Sequence, residues 1–292
     1  MSATMDIKVE PLADAIARTS SKTPVGSMLR SRQWRTVPLQ LLQRAQFSAT
    51  VESLKFLDRV QTNVLSALKN ERDRMGAGIL MDREEFAAQL REVGLREGLR
   101  PKEGELVGTI QDPTAYQRAK LIFDVQTQQA QGFAYWKTHN DPDVIQAAPA
   151  QELIRIEARR KPRDWRQRWR EAAGAASDGD AYRMLTDNDR MIARIDSGIW
   201  LQLGTLFPDS LGNPFPPFAF GSGMNLRAVM RDEAIELGLI QGTERIQGND
   251  VEFNTALESS VTDLKPEEIG WLKSTFGDQV QVADGVARWK NQ

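Results

Sequence analysis

The stretch Pro214-Phe215-Pro216-Pro217-Phe218-Ala219-Phe220-Gly221-Ser222-Gly223-Met224 constrains the fold of this chain more than any other. Each proline holds φ near about −65° and removes an amide donor, and each glycine admits positive φ. Neither a helix nor a central strand tolerates that alternation, so the stretch is an ordered loop. Three phenylalanines in a loop must be covered, by the rest of the chain or by another protein. Phe215, Phe218 and Phe220 are therefore read as core, together with Trp165 and Trp169, which stand four apart on one face of a helix over 163–173.

Composition narrows the chemistry. There is no cysteine, which excludes disulfides, thiol nucleophiles and thiolate-bound zinc, and the single histidine, His139, leaves little for imidazole catalysis or multi-histidine metal sites. The residues, 40% apolar and 27% charged, are those of an ordinary soluble protein, and a net charge of −2 argues against wrapping nucleic acid overall. The first ten residues hold Asp6 and Glu10 and no apolar core of a secretory signal, and no apolar run reaches the ~20 residues of a membrane span. The expectation is a soluble protein of the cytoplasm with no membrane partner.

Patterning divides the chain into an extended arm over 1–46, with a short helix near Pro11 to Arg18, a helical module over 47–148 and an α+β domain over 149–292. In the module, Val51, Leu54, Phe56, Leu57, Val60, Val64, Leu65 and Leu68 recur at helical spacing. Asp82 with Glu85 reads as a capping box, and Asp112-Pro113 as the start of a helix to about Lys137. Ile154, Ile156 and Ala158 alternate with charges as in a half-buried strand. Met191 to Ile195 is a second candidate strand, and Ser197 to Leu206 a short helix. Asp263 and Pro266 open a helix that stops at Gly277, and Asp284-Gly285 sits at the turn of a hairpin.

Chemistry concentrates in the segment Arg155 to Arg170. Its cations, Arg155, Arg159, Arg160, Lys161, Arg163, Arg166, Arg168 and Arg170, outnumber Glu157 and Asp164 by +6. One reading is a stripe that contacts nucleic-acid phosphates through Arg155, Arg159, Arg160, Lys161, Arg163 and Arg166. Another is a solvated helix face whose arginines pair with Asp178, Asp180 or Glu233, and a third is an anchor for an acidic protein. Gly221-Ser222-Gly223 lacks the lysine and spacing of a phosphate loop and reads as a tight turn. His139, Asp141 and Asp143 form either a metal corner or an ordinary turn. Asp178, Asp180, Asp187 and Asp189 lack the ligand order of a calcium loop and read as a solvated loop.

The aromatic run, read with Pro162-Arg163-Asp164-Trp165 and Arg168-Trp169 before it and Arg231-Asp232-Glu233-Ala234-Ile235-Glu236-Leu237-Gly238-Leu239-Ile240 after it, resembles the C-terminal half of tailed-phage minor head proteins, the head-morphogenesis proteins of the Mu type. Phe47-Ser48-Ala49-Thr50-Val51, Leu121-Ile122-Phe123-Asp124 and Gln131-Gly132-Phe133-Ala134-Tyr135-Trp136 are similar to the helical half. The likeness runs over roughly residues 25 to 290. It implies a structural virion protein, assembled in the host cytoplasm, that binds portal or major capsid subunits, with possible contact to packaged DNA. For this chain the expectation is no cofactor, no metal and no catalysis, since no nucleophile, base and oxyanion site assembles from its residues. The histidine block and late cysteine pair that many such proteins carry are absent. Two rivals remain open: an enzyme acting on nucleic acid or nucleotide through the basic stripe, and a head–tail connector or adaptor.

Overall fold

The structure, a computed structural model, describes residues 11–30, 37, 44–73, 79–101, 103–159, 161–248, 258–262 and 264–289. The fold is α+β, helices with small sheets. Its contacts form two compact units, Met1–Ala15 with Gln128–Asp250, and Ile16–Thr127 with Val251–Gln292.

The second unit is built on α2 (Leu54–Asp73) and α3 (Ile79–Arg96), joined by the first half of α4 (Tyr116–His139). Most of the apolar stripe of α2 is buried as its spacing predicts: Phe56, Leu57, Val60, Val64 and Leu68 lose essentially all exposure, whereas Leu54 in the first turn is exposed. Phe86 of α3 meets Phe123 of α4 at 5.0 Å between ring centroids. Arg83 pairs with Asp124 at 2.5 Å, and Glu84 takes Lys120 at 2.5 Å, so α3 is tied along α4 by charge as well as packing. Helix α1 (Pro11–Ser20) leaves terminal carbonyls without intrahelical donors. Gln61 of α2 answers this by donating to the Thr19 carbonyl at 2.8 Å, and it also donates to the Lys22 carbonyl just past the helix at 2.8 Å.

Patterning placed residues 1–46 in an arm and the last forty residues in a separate domain, whereas the described parts of both share one core. Val25, Val37 and Ala45 pack with Val261, Leu272, Phe276, Val280 and Ala287. The arm residues belong to a short parallel pair, β1 (Thr23–Pro24) and β2 (Ala45–Gln46). The C-terminal residues come from α10 (Pro266–Phe276) and an antiparallel sheet, in which the hairpin strand Val286–Trp289 lies between Glu258–Ser260 and Val280–Ala283. Asp284 (φ 51°) and Gly285 (φ 73°) both have positive φ, the turn that the Asp-Gly pair predicts. Asp263 lies outside the described residues; the helix opens with Pro266, and the Glu268 carboxylate accepts the Lys265 N–H at 2.9 Å.

The first unit centres on a three-stranded antiparallel sheet in which β3 (Ala150–Arg155) runs between β4 (Ile192–Arg194) and β5 (Met224–Val229). The strand lies earlier than the alternation over 154–158 predicts, and Ile156 is exposed beyond its end. Helices α6 (Trp165–Ala175), α7 (Gly179–Asn188) and α8 (Ile199–Thr205) cover it, while the short α5 (Pro142–Ala147) precedes β3 and α9 (Arg231–Glu236) follows β5. Trp165, Trp169, Trp200, Leu203, Phe207 and Phe218 share the main cluster. The Trp169 indole donates to the Ala181 carbonyl at 2.8 Å, which satisfies its one polar atom.

The Pro-Phe-Gly loop passes through this unit between two helical glycines. A Cβ at Gly132 of α4 would lie 1.8 Å from the Pro216 carbonyl oxygen, and one at Gly204 of α8 would lie 1.7 Å from that of Asn213. The Pro216–Pro217 peptide is cis. Phe215 and Phe218 are 0% exposed, and Phe215 contacts Phe133 and Trp136 at 6.0 and 6.1 Å. Phe220 is different: at 38% exposure it lies at the loop's edge and not in the core, because the chain turns out through Gly221 (φ 55°) immediately after it.

Two helix starts also differ from expectation. Helix α3 begins at Ile79, so Asp82 lies inside it and not at its start. Helix α4 begins at Tyr116, and Asp112 serves the loop before it.

Candidate functional site

The basic segment is mostly neutralised from within. Arg163 and Arg168 converge on Asp209, at 2.5 and 2.8 Å, and Arg163 also donates to the Phe220 carbonyl at 2.7 Å, clamping the aromatic loop to the start of α6. Burial pushes the Asp209 carboxyl up, but the Arg168 and Arg163 guanidiniums outweigh it and hold the group below its ordinary value. Arg166 forks onto Asp189, the left-handed residue that ends α7, and Arg159 meets Glu157 at 2.5 Å. These acids are not the partners that patterning offered. Arg155, Lys161 and Arg170 are exposed and meet no acid among the described residues; Arg160 lies outside them. A cleft of about 220 Å³ has Trp165, Met191 and Met224 in its lining, with Arg155, Arg163 and Arg166 beside them. Trp165 is buried, so it offers no open ring face to a base.

The candidate acids disperse into local roles. The segment 178–189 is not a solvated loop but helix α7, which buries Ala181, Met184 and Leu185. Asp178 caps it by accepting from the Ala181 amide at 2.8 Å, Asp180 pairs with Arg183 at 3.1 Å, and Asp187 accepts from the Thr186 hydroxyl at 2.9 Å. Asp141 caps the short helix Pro142–Ala147. His139 stacks on Tyr135 at 3.7 Å, and its Nδ1 meets the Tyr135 carbonyl at 2.9 Å. Among the described residues no group of three His, Asp or Glu side chains could hold a metal. At Gly223 (φ 66°) the carbonyl accepts from the Ile156 and Glu157 amides, so the Gly-Ser-Gly stretch is a sheet-bracing turn.

The largest charged cluster on the sheet escaped the sequence reading. Glu152 of β3 lies opposite Arg227 of β5, and Arg190 reaches it from the other side at 2.8 Å. Glu233 joins both arginines, at 2.7 and 2.9 Å. Arg190 lowers the Glu152 carboxyl most, against burial, with Arg227 adding to it. With every charge opposed, the cluster braces the sheet.

A different surface stands out in the helical unit. Between α3 and α4, Leu106, Val107 and Ile110 are 66%, 79% and 57% exposed. They sit in a loop held by several hydrogen bonds. The Thr109 amide and hydroxyl donate to the Leu106 carbonyl, and the Leu106 amide donates to Gln111 Oε1 at 3.0 Å. Asp112 accepts from the Gly108 amide at 2.9 Å and from the Thr114 amide and hydroxyl at 2.8 and 2.7 Å. Arg118, buried on α4, donates to the Gln111 carbonyl at 3.1 Å and to Ser48 Oγ at 2.9 Å, and also to the Ala49 carbonyl. Burial raises the Asp112 carboxyl, but the Gly108 and Thr114 donors and the Arg118 charge more than offset this and leave it below its ordinary value. Gly104 (φ 80°) and Gly108 (φ 74°) turn the chain either side of Leu106-Val107.

Other apolar side chains lie at this end of the α2–α3 pair. Ser53 bonds Glu97 at 3.0 Å, which brings the start of α2 beside the end of α3, where Leu54 and Leu95 are exposed. The signal in the sequence was Leu106-Val107 between two glycines, a bulky apolar pair with neither helical nor strand periodicity around it. Comparison with protein families, with curated proteins and with solved structures finds no match to this chain.

Proposed function

We propose that this is a structural protein of the phage minor head class, which binds portal or major capsid subunits during head assembly and works by binding, without catalysis. The observation that carries the binding reading is the ordered, solvent-facing apolar tip Leu106-Val107-Ile110. Three large apolar groups held out on a hydrogen-bonded base suit a docking subunit. The phage assignment adds the resemblance of the Trp165–Trp169 and Pro214–Ile240 blocks. The internal pairing of Arg159, Arg163, Arg166 and Arg168 weighs against the nucleic-acid enzyme.

Particles purified from cells that express the tagged chain with its neighbouring head genes test the proposal. A few copies per particle, lost when the portal gene is deleted, is the expected result. Absence from particles refutes the head role, and a copy number equal to that of a full ring moves the protein to the connector class.

A further inference from the structure

We infer that the cleft at one end of the three-stranded sheet binds a small monoanion with an apolar body, a carboxylate carried on a short hydrocarbon or aromatic group. Arg155 is the last residue of β3, Met224 the first of β5, Trp165 the first of α6 and Met191 the residue before β4. These four line the cleft with Arg163, Asp164 and Arg166.

The first observation is a donor left unanswered. Trp165 is 3% exposed, and its indole N–H is buried without an acceptor among the described residues. Buried tryptophans ordinarily satisfy this group. Two others of the same cluster do so, Trp169 on the Ala181 carbonyl and Trp200 on the Arg194 carbonyl, both at 2.8 Å. The indole that lacks an acceptor is the one that lines the cleft, beside two methionines whose unbranched side chains yield readily to an entering group.

The second is charge. Arg163 and Arg168 share Asp209, Arg166 holds Asp189, and Asp164 accepts the Gln167 amide at 2.9 Å to cap α6. Arg155 meets no acid among the described residues. The lining and its direct ion partners thus set four guanidiniums against three carboxylates, which leaves one positive charge. Neighbouring charges do not reverse the sign. Glu157 is matched by Arg159, and Glu152 and Glu233 by Arg190 and Arg227, while Lys161 and Arg170 outside the lining are cations. A guanidinium fork and an indole N–H only donate, so their complement is an anionic acceptor, and a planar carboxylate matches the fork through two parallel bonds.

The third is size. At about 220 Å³ the cleft is smaller than the roughly 300–1,000 Å³ that accommodates drug-sized ligands. Trp165, Met191 and Met224 favour a hydrocarbon or aromatic body over a hydrated ion such as phosphate. Free apolar acids and the C-terminal residue of a peptide both present this chemistry. The cleft stands independently of the head assignment.

The test follows the Trp165 indole resonance in proton–nitrogen correlation spectra of the full chain, identified by its loss in Trp165→Phe. The probes are hexanoate and N-acetyl-leucine, with hexanamide, N-acetyl-leucine amide and inorganic phosphate as controls. A saturable shift with either acid in the millimolar range is expected. In Arg155→Gln half-saturation should rise at least about tenfold while the urea midpoint stays at the parental value, because the side chain is exposed. Hexanoate binding as tightly as N-acetyl-leucine, or more tightly, identifies a free acid; tighter binding of N-acetyl-leucine identifies a peptide C-terminus. The site is overturned by no saturation below about 50 mM with either acid, or by an equal response to either amide or to phosphate. An Arg155→Gln titration indistinguishable from the parent overturns it as well.

Discussion

Alanine at the two glycines beside the aromatic loop should act oppositely to alanine at a third. In Gly204→Ala the new Cβ would sit 1.7 Å from the Asn213 carbonyl oxygen and 2.6 Å from its carbon; in Gly132→Ala it would sit 1.8 Å from the Pro216 oxygen. Both obstacles are backbone, so the helix and loop must separate by more than an ångström, at the upper end of overpacking costs, about 3 kcal/mol. Alanine's better helix propensity offsets about 1 kcal/mol, leaving each variant about 2 kcal/mol less stable. Gly174 in α6 has nothing within 4 Å of its Cβ position, so Gly174→Ala should stabilise by about 0.5–1 kcal/mol. Urea unfolding followed by tryptophan fluorescence reads this out, because Trp165, Trp169 and Trp200 lie in the same core cluster. Parental midpoints for Gly132→Ala and Gly204→Ala, or a destabilised Gly174→Ala, would show that the loop does not run against those helices.

Asp209→Ala should cost about 1–2 kcal/mol by releasing Arg163 and Arg168 together, and limited proteolysis should then cut first within 208–223; an unchanged cleavage pattern contradicts the clamp. Asp112→Ala should leave the helices intact but expose the Gly108 and Thr114 amides to rapid hydrogen exchange. Because the Asp112 carboxyl is depressed in the folded state, its contribution is present above the ordinary aspartate range and is lost as pH falls through the folded value. Protection of the Gly108 amide should therefore fade in acid in the parent, and a pH-independent signal refutes the assignment. Changing Arg155, Lys161 and Arg170 together to alanine should leave DNA retention at low salt within about threefold of the parent; a steep loss would restore the phosphate-contacting stripe.

Local physics made much of the fold legible. The 3–4 spacing over Val51–Leu68 located α2, the Trp165/Trp169 pair marked the buried face of α6, and Asp284-Gly285 marked the hairpin turn. Asp112 misled because a carboxylate before proline resembles a helix cap, and its donors proved to be loop amides, one of them four residues earlier. The acids that neutralise the basic segment were hidden by distance: Asp209 is 46 residues from Arg163, and Asp189 is 23 from Arg166. The exposed tip was equally hidden, since hydropathy alone does not tell Leu106, Val107 and Ile110 from core residues.

The sequence by itself located α2, α6, the C-terminal hairpin and the loop character of 214–224, and marked Trp165, Trp169, Phe215 and Phe218 as core, because periodicity, proline geometry and glycine freedom act over a few residues. Tertiary structure alone decided the pairings. It joined the segment around Val25 and Ala45 to the C-terminal sheet, turned the arginines onto acids, buried Phe215 and Phe218 while leaving Phe220 at the surface, and held three apolar side chains in water. These outcomes depend on which distant surfaces meet, and burial and charge pairing are properties of that meeting rather than of any residue's neighbours along the chain.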